Sequence, residues 1–129
     1  MSGTSNSTMT AGELLDRYIE LSIQQGTAID LSDGSQINRL GSKIFRINDE
    51  LKSRSGDQRR ILFGLLSHQN PYVRYNAATS LIRIFPVEAR NVLQTIADSK
   101  WYPLAGHAGM YLHMLDTRIV NWPKPGSAD

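Results

Sequence analysis

Leu66-Ser-His-Gln-Asn-Pro71-Tyr-Val73-Arg74-Tyr-Asn-Ala77-Ala78-Thr-Ser-Leu81 is the stretch on which the fold turns. Asn70 offers a short amide oxygen to the free N–H groups that open a helix, and Pro71, whose φ is already helical, follows at the first helical position. Val73, Ala77, Leu81 and Ile84 then recur at helical spacing, so one stripe of this helix is buried. Adding 31 to each number finds the pattern again in Leu104, Ala108, Leu112 and Leu115, with Gly109 in the place of Ala78. The preceding segment repeats with the same offset. Asp57, Arg59, Ile61, Leu62, Leu65 and Leu66 fall on Glu88, Arg90, Val92, Leu93, Ile96 and Ala97, and Pro86 and Pro103 open the fifth and sixth helices. Two helix pairs with matched inward faces are what a stacked helical array needs, because neither pair buries its apolar side alone.

Upstream, Thr10-Ala-Gly-Glu13 is a capping-box pattern, in which the Thr hydroxyl accepts a first-turn amide while Glu13 reaches back. Leu14, Tyr18 and Leu21, with Leu15 beside them, give the first helix one apolar stripe as far as about Gln25, and Gly26 supplies a stop. Asp30-Leu-Ser-Asp-Gly34 is turn chemistry without the spaced oxygen ligands of a calcium loop. Ile37, Leu40, Ile44, Ile47 and Leu51 form a heptad seam for a second helix, which ends near Ser53-Arg-Ser-Gly56 and packs antiparallel to the first. No window alternates long enough for a strand. The expected architecture is all-α: about six helices, a hairpin followed by two further pairs, in a right-handed bundle or short solenoid. Residues 1–9 read as a disordered leader, 10–121 as one domain, and 122–129, with two prolines, as a flexible tail.

The 129 residues include no cysteine, and fourteen Lys plus Arg against twelve Asp plus Glu leave a net charge of +2 with histidine neutral. Disulfides, thiolate nucleophiles and cysteine-based metal centres are thereby excluded. So small a surplus of positive charge does not call for a polyanionic partner. No stretch approaches the ~18 apolar residues of a membrane span. The N-terminus lacks the apolar core of a signal peptide, and a cytoplasmic location is expected.

The Val-Arg…Ala-Ala block that follows Asn-Pro resembles a HEAT repeat. More narrowly, Asp57-Gln-Arg-Arg60, this block, Pro86…Ala89-Arg90…Val92-Leu93 and Ala105-Gly106-His-Ala-Gly109-Met110 resemble a family of small bacterial HEAT-like proteins catalogued as a domain of unknown function. The likeness spans roughly Asp57 to Asp116. It implies a fold and a bacterial origin, and no reaction.

Chemistry-bearing residues are sparse. His107 and His113 lie about 120° apart around a helix and share no ligand face; His113 with Asp116 supplies only two ligands. No nucleophile elbow, phosphate loop or dinucleotide fingerprint is present. No catalytic residue, metal or cofactor is therefore expected, and the chain reads as a non-enzyme. Ala105, Ala108 and Gly109 read as small residues for close helix packing, and Arg74 as the ion-pair partner of Asp98 or Asp116. On the second helix Arg39, Lys43, Arg46 and Arg54 line one stripe, the basis for an alternative reading as a nucleic-acid-binding regulator, although Glu50 and Asp49 interrupt it and no aromatic residue projects from it. The leading expectation rests on the face opposite the buried stripe of the paired second helices. Tyr72, Asn76, Thr79 and Arg83, joined by Tyr75, continue onto His107, Met110 and Met114, a composition enriched in interface cores. The expected function is non-catalytic binding of another protein through that face, as an immunity protein (antidote to a cognate toxin) or adaptor, unless the first helix or the tail covers it.

Overall fold

A computed structural model describes residues 5–117. In chain order it contains a short 3-10 turn (Asn6–Thr8), α1 (Ala11–Asp30), α2 (Gly34–Ser53), a 3-10 helix (Gln58–Ser67), α3 (Pro71–Leu81), α4 (Pro86–Asp98) and α5 (Leu104–Thr117). The described residues hold no strand, and none of their helices is long and apolar enough to cross a membrane. The all-α expectation holds.

Local chemistry sets most boundaries. Thr10 Oγ1 accepts from the Glu13 N–H at 3.1 Å while Glu13 Oε1 accepts from the Thr10 N–H at 2.8 Å, closing the capping box that starts α1. Asn70 Oδ1 accepts from the N–H groups of Tyr72 and Val73 at 2.9 and 3.3 Å, and Pro71 opens α3. Asp57 adopts a left-handed conformation (φ 56°) and grips Arg59 through both carboxylate oxygens, at 2.9 and 2.6 Å. That hydrogen-bonded guanidinium holds the Asp57 carboxyl below the usual carboxylate range and raises Arg59 in turn.

Gly26 does not end α1. The helix runs on to Asp30, and Gly26 is buried inside it because the ring of Tyr72 lies where a Cβ would project, 2.4 Å from Tyr72 Cδ2. Close approach, rather than chain reversal, is the reason for glycine there. Gly109 departs from expectation in the other direction, since a Cβ at that position meets nothing within 4 Å. Ala105 and Ala108 are buried as expected. Arg74 leaves Asp98 and Asp116 alone and donates from Nη1 to the carbonyls of His68 and Gln69, at 2.7 and 3.1 Å. Those carbonyls follow the 3-10 helix and need donors. Asp116 accepts from Arg90 instead.

Ser5–Met9, part of the expected leader, is held in place. Arg54 donates from Nη2 to the carbonyls of Asn6 and Met9, at 3.1 and 2.7 Å, and from Nε to Glu50 at 2.8 Å. Residues 118–121 of the expected domain and the expected tail 122–129 lie outside the described residues.

The core is continuous. Leu14, Tyr18, Ile47, Leu51, Leu62, Val73, Leu81 and Leu93 are wholly buried. Along the inward stripe, Leu62 with Leu93, Leu65 with Ile96, Val73 with Leu104, Ala77 with Ala108, and Leu81 with Leu112 are buried at both positions 31 apart, whereas Tyr72 is buried and Pro103 exposed, and Ala78 is buried and Gly109 half-buried. α1 pairs with α2, the 3-10 helix with α3, and α4 with α5; α4 also packs on α3. The first hairpin joins the rest crosswise, α1 against α3 and α2 against the 3-10 helix.

Candidate functional site

Four side-chain hydrogen bonds tie α1 to α3, three of them along the middle of α1. Tyr18 Oη and Ser80 Oγ share one at 2.7 Å in the interior, and burial holds the Tyr18 phenol far above its ordinary range. Asn76 Nδ2 donates to Ser22 Oγ at 3.0 Å and to Gln25 Oε1 at 3.1 Å. Gln25 also reaches the opposite wall, donating from Nε2 to the Ile37 carbonyl of α2 at 3.4 Å. Gly41 makes room for this, because a Cβ there would lie 3.2 Å from Gln25 Nε2.

α1 thus forms the floor of a cleft with α2 as one wall and α3 as the other. Three cavities meet at Gln25. One, of about 330 Å³, lies over Tyr18 between Ile44, Phe45 and Asn48 on α2 and Asn76, Thr79 and Ser80 on α3. A second, of about 490 Å³, runs past Ile29 and Ile37 to Tyr72, Tyr75 and the start of α5 at Pro103, Leu104 and His107. A third, of about 590 Å³, opens along α2 at Asn38, Ser42, Phe45 and Arg46. No carboxylate lines any of the three, whereas Arg46 borders one and the His107 imidazole another. Phe45 stands 66% exposed on the α2 wall. Asn48 Oδ1 is buried and has no hydrogen-bond partner.

The face read from the repeat is divided by α1. Tyr72 is 8% exposed, its ring on Gly26 and its hydroxyl donating to Asp30 Oδ1 at 2.6 Å. Desolvation first, then that carboxylate, pushes the Tyr72 phenol up to about 12. Tyr72 and Asn76 therefore do not stand on an open helix face: α1 lies over them, and only their cleft edges remain accessible. Tyr75 is half-buried; desolvation, with Tyr111 beside it, pushes it up to about 12. Thr79 is half-buried on the cleft wall. Arg83 is exposed, and its charge reaches Tyr111. On α5, His107 and Met110 are exposed and Met114 is half-buried. Tyr72, Tyr75, Asn76, Thr79 and His107 are thus brought to one concave surface, while Met110 lies outside it beside Gly106, which carries the Tyr102 ring. Gln25, Phe45 and Asn48 complete the surface and are absent from the repeat-based reading, because the first hairpin lies outside the repeat.

Of the basic stripe on α2 only Arg46 borders the cleft. Arg39 binds Gln36, and Arg54 is taken up by Glu50 and the N-terminal segment. Lys43 and Arg46 share a cavity of about 470 Å³ with Arg17, Asp49 and Glu50. Among the described residues no three His, Asp or Glu side chains converge as a metal site would require. His68 accepts the Asn70 N–H at Nδ1, which suits a neutral imidazole.

With this geometry in view, the comparisons with known proteins are informative about kinship. No curated protein matches the chain. The crystal structure of the protein RPA1889 from Rhodopseudomonas palustris CGA009 is similar, with a TM-score of 0.83 and 38% sequence identity over 89% of this chain and 95% of that one. The family model of a domain of unknown function, DUF2019, matches residues 12–116, which takes in both the cleft and the repeated pairs. The chain belongs to the DUF2019 family.

Proposed function

We propose that this protein is a non-catalytic protein-binding module of HEAT-like build, which receives part of a partner in the cleft between α2 and α3 and extends the contact along α5. One observation carries the reading: a concave surface without carboxylates, lined by Tyr72, Tyr75, Asn76, Thr79 and His107, also carries Phe45, 66% exposed, and Met110, equally exposed, stands less than one turn beyond His107 on α5. Large apolar side chains beside such a surface are costly in water and are the types that carry interface energy. The matched burial along the inward stripe at positions 31 apart supports the HEAT-like description. The concrete role we favour is that of a bacterial immunity protein or adaptor acting in the cytoplasm; it rests on analogy of size and class. A nucleic-acid-binding role has less support, because Arg54 is engaged and Asp49 and Glu50 sit among the remaining cations.

The test is co-expression of the tagged chain with the product of the adjacent reading frame. Retention of that product, lost at least tenfold in the combined Phe45→Ser and Met110→Asp variant with an unchanged melting temperature, is the expected result. Retention indifferent to those substitutions counts against this surface, and failure of the chain to protect cells from that product counts against the immunity role. Steep salt-dependent retention on DNA would favour the basic stripe instead.

A further inference from the structure

Resting on that reading, we propose that the occupant of the cleft is an extended, weakly acidic peptide segment of about five residues, bound chiefly through its backbone. The cleft is lined by the carboxamides of Gln25, Asn48 and Asn76 from three different helices. A carboxamide presents an acceptor and donors in one plane, the same complement as a peptide group. Asn48 lines this cavity and its Oδ1 is a buried acceptor without a partner, so a turn of the carboxamide about its terminal torsion toward an arriving N–H would satisfy it. Gln25 Nε2 spends one hydrogen on a long 3.4 Å bond to Ile37 and keeps the second for a carbonyl.

Length fits the same occupant. The floor from Tyr18 to Ile29 spans about 16 Å at ~1.5 Å per helical residue, which matches about five residues of extended chain at ~3.3 Å each. Backbone pairing leaves side-chain selection to the walls, where Phe45 on one side and Tyr75 on the other offer apolar contact. Arg46 and the His107 imidazole offer N–H donors at the margins of two cavities that no carboxylate lines, while Asp49 and Glu50 line a separate cavity with Arg46, so acidic side chains are favoured at the ends of the segment. A nucleic-acid strand would bring a phosphate at every step and would need more cations than Arg46 supplies.

The test uses the full chain, immobilised and panned against a phage library of linear twelve-residue peptides. Enriched sequences should combine Asp or Glu with an aliphatic or aromatic anchor, and a fluorescein-labelled copy should bind with an anisotropy change. Asn48→Leu should weaken that binding at least tenfold while keeping or raising the melting temperature, since it removes an unpaired polar atom. Thr79→Arg, which fills the cleft from α3, should weaken it comparably. No enrichment over bare support, or equal affinity for both variants, overturns the proposal; so does preference for a labelled oligonucleotide over every peptide. Cleft-dependent retention of the adjacent reading frame's product without any peptide binding would remove the extended segment and leave the protein-binding reading in place.

Discussion

A methyl group at position 26 would sit 2.4 Å from Tyr72 Cδ2, whereas one at position 109 meets nothing within 4 Å. The two alanine substitutions should therefore move stability in opposite directions. Gly26→Ala gains ~1 kcal/mol in helix propensity but displaces a ring anchored at its hydroxyl, and a net loss of about 1–3 kcal/mol is expected in urea denaturation. Gly109→Ala keeps the propensity gain, up to about 1 kcal/mol. Asp57 provides a second case. Its carboxyl titrates lower in the fold than the ~3.9 of an unfolded aspartate, so its contribution is present above about pH 4 and fades as pH falls through the lowered value. Because the Asp57 carboxylate is partly open to solvent, Asp57→Asn should cost only about 0.5–1 kcal/mol at pH 7, and the gap between the two melting curves should narrow toward pH 3. Residue-scale features were legible where their causes are local: the Thr10–Glu13 box and the Asn70–Pro71 start each rest on neighbours within one turn. Gly26 was misread because the ring it accommodates arrives from another helix, and Arg74 because nearby carbonyls compete with distant carboxylates.

Among the elements, α1 does the most to organise the molecule. It contributes the cleft floor, closes part of the α3 face and pairs with α2, and its periodicity predicted the buried stripe but not what the stripe would cover. The N-terminal segment depends on α2 through one guanidinium. Arg54→Ala should release Ser5–Met9, seen as faster amide hydrogen exchange at Thr8 and Met9, with a loss of about 1–2 kcal/mol in overall stability. The seam of α2 was legible because Leu40, Ile44, Ile47 and Leu51 recur on one face of the helix and are all buried; Ile37, at the open end of that seam, is only half-buried and borders the cleft. The 3-10 form of Gln58–Ser67 had no signal in its apolar spacing, which suits an α-helix equally well.

For the whole molecule, the repeat made the second half readable and left the cleft invisible, since a cleft between α2 and α3 depends on how the first hairpin crosses the rest. Alkaline titration gives a global prediction. Tyr72 and Tyr75 are pushed up to about 12, so their contributions are intact below the ~10 of an unfolded tyrosine and disappear as pH rises from there toward 12. The melting temperature should hold to about pH 10 and fall beyond it, and Tyr72→Phe should soften that fall. Among the described residues α5 leans chiefly on α4. Such one-sided support makes it a separable cooperative unit, able to peel away while the hydrogen-bonded α1–α3 pair stays shut. Trp101, on the turn that leads into it, would report that early detachment once Trp122 is replaced by Phe, so in that background an emission-based unfolding curve should precede the loss of far-ultraviolet ellipticity.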